Sequence, residues 1–157
     1  MMGSDLSVQE VRKAILSLGK RLEGAEAIGI CGSLARGDFH ERSDIDIFVV
    51  VKEKLADVDV DRIWWDRISD ALKDFGRDVT VLVYTTEALK RIITWYVLRL
   101  ASEAILVYDR AGVESLFKRI IATAKKAGLV EREMGTRKVW SAKNLKIGQR
   151  LTLELKE

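Results

Sequence analysis

The chain has 157 residues, of which 48% are apolar and 32% charged, with a formal net charge of +3. That size accommodates one buried core, or a core with a small helical appendage, and the composition excludes a disordered or fibrous chain. No segment approaches the roughly 18 uninterrupted apolar residues of a membrane span, and the start MMGSDLSVQE lacks the basic-then-apolar layout of a signal peptide, so a cytoplasmic protein with no membrane partner is expected.

Ser7 and Glu10 have the spacing of a capping box, and Val8, Val11, Ile15, Leu18 and Leu22 recur at three and four, which predicts a first helix ended by Gly24. Ala27 to Cys31 reads as a short strand with Gly32-Ser33 at its end, LARGD as one or two helical turns, and FHERS as a loop. Ile45 to Val51 is β-branched and aromatic throughout, the pattern of a buried strand. Val60, Ile63, Trp64, Ile68, Leu72 and Phe75 then share one helical stripe that Gly76 closes. Trp64 and Trp65 are adjacent on that helix and face different ways, one toward the core and the other toward a contact surface.

Asp78 to Tyr84 alternates as a third strand. Thr85 or Thr86 caps a helix bearing Leu89, Ile92, Ile93, Tyr96, Val97 and Leu100, and Ala104 to Asp109 offers a fourth strand. A last amphipathic helix runs from Val113 to Ala127 and Gly128 closes it. In the tail, RLTLELK alternates like a strand and Trp140 is expected against the body. The order predicts an α/β (α+β) fold, a small mixed β-sheet with helices packed on it. Residues 1–109 form the main unit, and 110–157 a C-terminal helix and basic tail on the same domain.

That tail carries twelve Lys or Arg against five acids. Solvated helix faces produce such a bias more often than a nucleic-acid contact does, so nucleic acid is the weaker partner reading. The single Cys31 and single His40 can form neither an internal disulfide nor a Cys/His zinc cage, so any metal must be held by oxygen. Cys31 is expected as a small core residue and His40 as a solvated one.

The feature that points to chemistry is the pair Asp44 and Asp46 in SDIDIFVV. Two residues apart on a strand, they project from one face about 7 Å apart, and their charges repel unless a cation lies between them. Hard carboxylate oxygens suit Mg²⁺, with Mn²⁺ as an alternative, and a metal held by one or two carboxylates usually shares its shell with substrate phosphates. Asp78 heads the next strand and would join the cluster if that strand lies beside the first. Gly32-Ser33, between a strand and a helical turn, would turn backbone N–H groups and a hydroxyl toward an anion, and Arg36 lies one turn further on.

Gly32-Ser33, the ten residues Leu34 to Ser43, then Asp44-Ile45-Asp46, with an acid opening a later strand at Asp78, resemble the nucleotidyltransferase superfamily of DNA polymerase beta. Within it the chain is most similar to the minimal nucleotidyltransferases, over Ile28 to Tyr84. The resemblance implies that Asp44, Asp46 and Asp78 hold two Mg²⁺ ions and that Asp78 orients or deprotonates the acceptor hydroxyl. It places Gly32, Ser33, Arg36 and Ser43 at the nucleotide. The implied reaction moves a nucleoside monophosphate from an NTP, ATP in the first instance, to a hydroxyl and releases pyrophosphate. Minimal members are often paired with a small helical HEPN-type toxin that they neutralise or adenylylate, which makes such a protein, or a second copy of the chain, a candidate partner.

Overall fold

In the computed structural model of the chain, residues 6–92, 95–135, 137–142, 153 and 154 are described. The first helix, α1 (Val8–Leu16), starts where the capping box puts it: the Glu10 N–H donates to Ser7 Oγ at 3.1 Å and the Ser7 N–H donates to the Glu10 carboxylate at 3.3 Å. A 3₁₀ turn (Gly19–Leu22) leads into β1 (Ala27–Cys31), the short helix α2 (Gly32–Arg36) and β2 (Ile45–Val51). Next comes α3 (Val60–Leu72), capped by the Asp59 carboxylate on the Arg62 N–H at 3.1 Å, and then β3 (Val79–Thr85).

Four strands form one mixed sheet in the order β3-β2-β1-β5, where β5 is Ile105–Asp109. The pairs β1–β2 and β1–β5 are antiparallel; β2 and β3 run parallel, with Ile45 opposite Val79 and Asp46 opposite Thr80. Strand alternation divides β2 between two cores. Ile45, Ile47, Val49 and Val51 pack with Val11 and Ile15 of α1 and Trp64, Ile68 and Leu72 of α3. Phe48 and Val50 face the other way, into a cluster with α5 (Trp95–Glu103) and α6 (Val113–Lys126), where the Phe48 and Phe117 ring centroids lie 5.9 Å apart. A strand covered on both faces reads as a continuous apolar run, which is why IDIFVVV was recognisable. Each fully buried aliphatic side chain here contributes about 1.5–3 kcal/mol relative to exposure.

The observed elements differ from those expected in two places. The helix expected to run unbroken from Thr85 past Leu100 is two: α4 (Thr86–Lys90), capped by Thr85 Oγ1 on the Ala88 N–H at 3.1 Å, and α5, separated by the short strand β4 (Arg91–Ile92). The break falls at Arg91–Ile92, where Arg91 is already extended and the β-branched Ile92 favours extended backbone. The tail holds a hairpin of β6 (Leu129–Met134) and β7 (Arg137–Ala142) that alternation did not reveal. The strand expected over RLTLELK lies mostly outside the described residues; its Leu153–Glu154 forms β8, paired with β4.

Trp140 is buried as expected, and its indole N–H donates to Ser102 Oγ at 3.0 Å, tying β7 to α5. Trp64 is in the core and Trp65 is exposed, whereas Ile63, assigned to the inward stripe, faces solvent. Among the described residues no helix is long and apolar enough to cross a membrane.

Gly29 lies in the middle of β1, where a Cβ would run into the Phe48 ring and stand 2.9 Å from the Ile105 carbonyl oxygen. The entropic gain of Gly→Ala in a strand is under about 1 kcal/mol, smaller than the cost of overpacking a closed core. Gly29→Ala should therefore lower the unfolding free energy by about 1–3 kcal/mol, read as a lower urea midpoint with an unchanged slope.

Candidate functional site

At the end of the sheet where β1 finishes and β2 and β3 begin, Gly32 follows β1 with φ +68°, a backbone conformation that side chains disfavour. A second constraint acts on the same residue: a Cβ there would collide with Asp46 Oδ2. Asp46 sits opposite Cys31 across the antiparallel ladder, and its carboxylate lies directly against the Gly32 backbone. The Gly-Ser turn and the Asp-x-Asp strand are thus in contact, and glycine is the residue that permits it.

Asp46 is half-buried and Asp44 exposed. Burial pushes the Asp46 carboxyl above the usual carboxylate range; the Thr80 side chain, hydrogen bonded to it, pulls it down, the Asp44 charge adds to the rise, and the Arg36 guanidinium offsets part of it. Cys31 donates its S–H to the Asp46 carbonyl at 3.6 Å, and its thiol is pushed up to about 12 by burial first and by Asp46 second. It is a core residue held in the thiol form.

Arg36 lies between acids. Its Nε is 3.5 Å from Asp38 Oδ2 and its Nη1 3.7 Å from Glu103 Oε2, with the Glu103 side chain only 6% exposed. A cavity of about 160 Å³ opens here, lined by Cys31, Gly32, Arg36 and Asp46 on the sheet side and by Tyr96, Arg99, Leu100 and Glu103 from α5. Those four recur at helical spacing and give α5 one face toward the acids. Sequence reading assigned Tyr96 and Leu100 to a core stripe and passed over Arg99 and Glu103; the polar residues interleaved in that stripe were the available signal. The Tyr96 phenol is pushed above its ordinary range by burial and then by Cys31, and its ring stacks on Tyr84 at 6.4 Å.

The structure brings Asp44, Asp46, Gly32 and Arg36 to one place, with Ser33 in the first turn of α2, half-buried. Ser43, expected at the nucleotide, lies in the loop before β2, where its hydroxyl accepts the His40 N–H at 3.0 Å. Asp78, expected as the third ligand, immediately precedes β3, which lies beside β2. Among the described residues no group of three or more His, Cys, Asp or Glu side chains is placed to hold a metal ion. Asp78 is exposed, one position ahead of the first ladder pair, where its carbonyl accepts the Ile45 N–H at 2.8 Å; the side chain opposite Asp46 on β3 is Thr80.

A glycine turn closed onto a two-carboxylate strand at the end of a mixed sheet is an arrangement suited to phosphate and metal chemistry. The sequence matches the nucleotidyltransferase domain family over residues 8–108, and the chain belongs to that family. No curated protein matches it significantly by sequence. Among solved structures, a chain of a toxin–antitoxin crystal structure with AMP-PNP is similar over 73% of this chain and 86% of its own, at 17% identity and a TM-score of 0.52. A mutant of the toxin–antitoxin MntA-HpeT is similar over the same shares, at 14% identity and a TM-score of 0.51. These likenesses are of fold.

Because folding raises the Asp46 carboxyl above its unfolded value, the native state binds that proton more tightly. The group's favourable contribution is complete below the unfolded pKa and is lost as pH rises through the folded one. In EDTA, Asp46→Asn should therefore melt above the wild type at neutral pH, with the gap closing as the pH is lowered through the carboxylate range. Equal melting temperatures at every pH would refute that electrostatic account.

Proposed function

We propose that the chain is a Mg²⁺-dependent nucleotidyltransferase that moves the nucleoside monophosphate of an NTP, AMP from ATP, to a hydroxyl acceptor and releases pyrophosphate. The observation that carries this reading is the contact of the Asp46 carboxylate with the Gly32 turn. It sets a repelling pair of acids beside backbone N–H groups that have no helical partner of their own. The similar fold crystallised with AMP-PNP supports an adenine nucleotide.

The residues fit a hard divalent ion. Asp44 and Asp46 offer carboxylate oxygens on one strand face, and the Asp46 carboxyl is raised by burial first and by the Asp44 charge in addition. When bound, the ion would neutralise the triphosphate and polarise the phosphorus under attack. Asp44 and Asp46 hold it, Gly32 and Ser33 receive phosphate oxygens, and Thr80 fixes the Asp46 carboxylate from the neighbouring strand. A second ion would need a third carboxylate, and the position opposite Asp46 is Thr80; the arrangement fits one ion held by the pair, with Asp78 outside it.

A second reading is that the chain neutralises a helical HEPN-type toxin by binding it, with or without catalysis. It draws on the toxin–antitoxin complexes that share the fold and on the exposed Trp65 and Trp95. Co-expression separates the two. An occluding antitoxin protects cells even with both Asp44 and Asp46 changed to Asn, whereas an adenylylating one loses protection.

Asp44→Asn should abolish Mg²⁺-dependent binding of AMP-PNP in calorimetry while the protein still folds; unchanged affinity would overturn the site. Asp78→Asn should bind Mg²⁺ and AMP-PNP within about twofold of wild type, a change under about 0.5 kcal/mol. A loss as large as that of Asp44→Asn would instead place Asp78 among the ligands.

A further inference from the structure

Arg77, the residue before Asp78, does not pair with its neighbour. It reaches back across the strand heads to the loop between α2 and β2. Its Nη2 donates to the carbonyl oxygens of His40 at 2.5 Å and Ser43 at 2.7 Å, and the guanidinium carbon lies 4.5 Å from the centroid of the Phe39 ring. The loop is also closed on itself: the Ser43 N–H donates to the His40 carbonyl at 2.9 Å, and the Arg42 N–H to His40 Nδ1 at 3.1 Å.

Two of these bonds are made by Ser43. Ser43 immediately precedes Asp44, and on the far side of Asp44 the Ile45 N–H is held by the Asp78 carbonyl at 2.8 Å. The chain is therefore fixed on both sides of Asp44 by two consecutive residues, Arg77 and Asp78. A planar guanidinium can bridge two carbonyls from one nitrogen while its face rests on an aromatic ring, which a lysine ammonium cannot reproduce.

We propose that Arg77 is a positioning residue for the acid pair: by clasping His40 and Ser43 over Phe39 it sets the backbone from which Asp44 projects, so that the Asp44 carboxylate stands beside Asp46 before any cation arrives. The proposal rests on the reading of Asp44 and Asp46 as a cation site. Residues that orient metal ligands without touching the metal change affinity by about 10- to 100-fold when altered, and that range is expected here.

The test uses the full chain as wild type, Arg77→Lys, Arg77→Ala and Asp44→Asn, with Mn²⁺ in the presence of AMP-PNP as the probe, read by electron paramagnetic resonance. Hydrogen exchange at the Arg42 and Ser43 amides and thermal melting are measured on the same samples. Both Arg77 variants should bind Mn²⁺ at least about tenfold more weakly than wild type, with faster exchange of the two loop amides. Arg77→Lys keeps the charge and guards against a failure of Arg77→Ala to fold. If the variants melt lower yet bind Mn²⁺ as wild type does, Arg77 serves stability alone and the inference is overturned. If wild type and Asp44→Asn bind Mn²⁺ alike, the acid-pair reading falls, and the inference with it.

Discussion

A half-buried carboxylate pressed against a glycine backbone is the constraint on which this structure turns. Asp46 belongs to a strand whose following residues, Ile47 to Val51, are buried on both faces of the sheet. The strand cannot slide or rotate to release the charge, because a slip of one residue would exchange the contents of both cores. Asp46 is thereby carried to the face of Phe48 and Val50, and at the open end of that face the Gly32 turn lies against it. The apolar core supplies the rigidity; the cost of an incompletely solvated charge is concentrated at one point, where repulsion from Asp44 adds to it.

The cover over that face is what makes the point a site rather than a strand end. α5 packs Val97, Leu98 and Leu100 into the core, while Tyr96, Arg99 and Glu103 line the cavity that Asp46 and Gly32 floor. Its seat is fixed by neighbours distant in the chain: Trp140 bonds Ser102 from β7, and Phe117 of α6 packs on Phe48. The late helix and hairpin therefore bear on the acids indirectly, by holding the helix that walls the cavity.

How far this was legible in the sequence follows from what each signal measures. β2 and the stripe of Trp64, Ile68 and Leu72 were readable because burial on a fixed period writes itself into apolar residues, and the Gly-Ser and Asp-x-Asp motifs because their spacing is local. The break between α4 and α5 was missed: Leu89, Val97 and Leu100 keep a helical period across a segment whose β-branched residues favour an extended backbone, and period was weighed above propensity. β6 carries charged residues at three successive positions, 131 to 133, and Met134 and Val139 are exposed, which gives alternation little to write. The exact seat of the third acid was not legible because register is not in the sequence; β3 does lie beside β2, with Thr80 opposite Asp46 and Asp78 two residues before it. Glu103 showed in the sequence only as a polar residue interleaved in the α5 stripe; its partner did not, since only tertiary packing brings α5 to Arg36.

Under the proposed function, a cation from outside would complete the arrangement of charges around the cavity. Arg36 is the cation whose influence Asp46 feels, yet its guanidinium lies between Asp38 and Glu103, the latter almost wholly buried. One guanidinium shared among such acids cannot also neutralise Asp44 and Asp46, and its partial effect leaves the Asp46 carboxyl raised. A protein selected for stability alone would relieve this with an apolar or amide side chain at 46, since a buried charge is retained at a cost. Keeping two acids at the head of a rigid strand, against a turn that only glycine can make, is instead the arrangement expected where affinity for a divalent ion and its phosphates matters more than the last increment of stability.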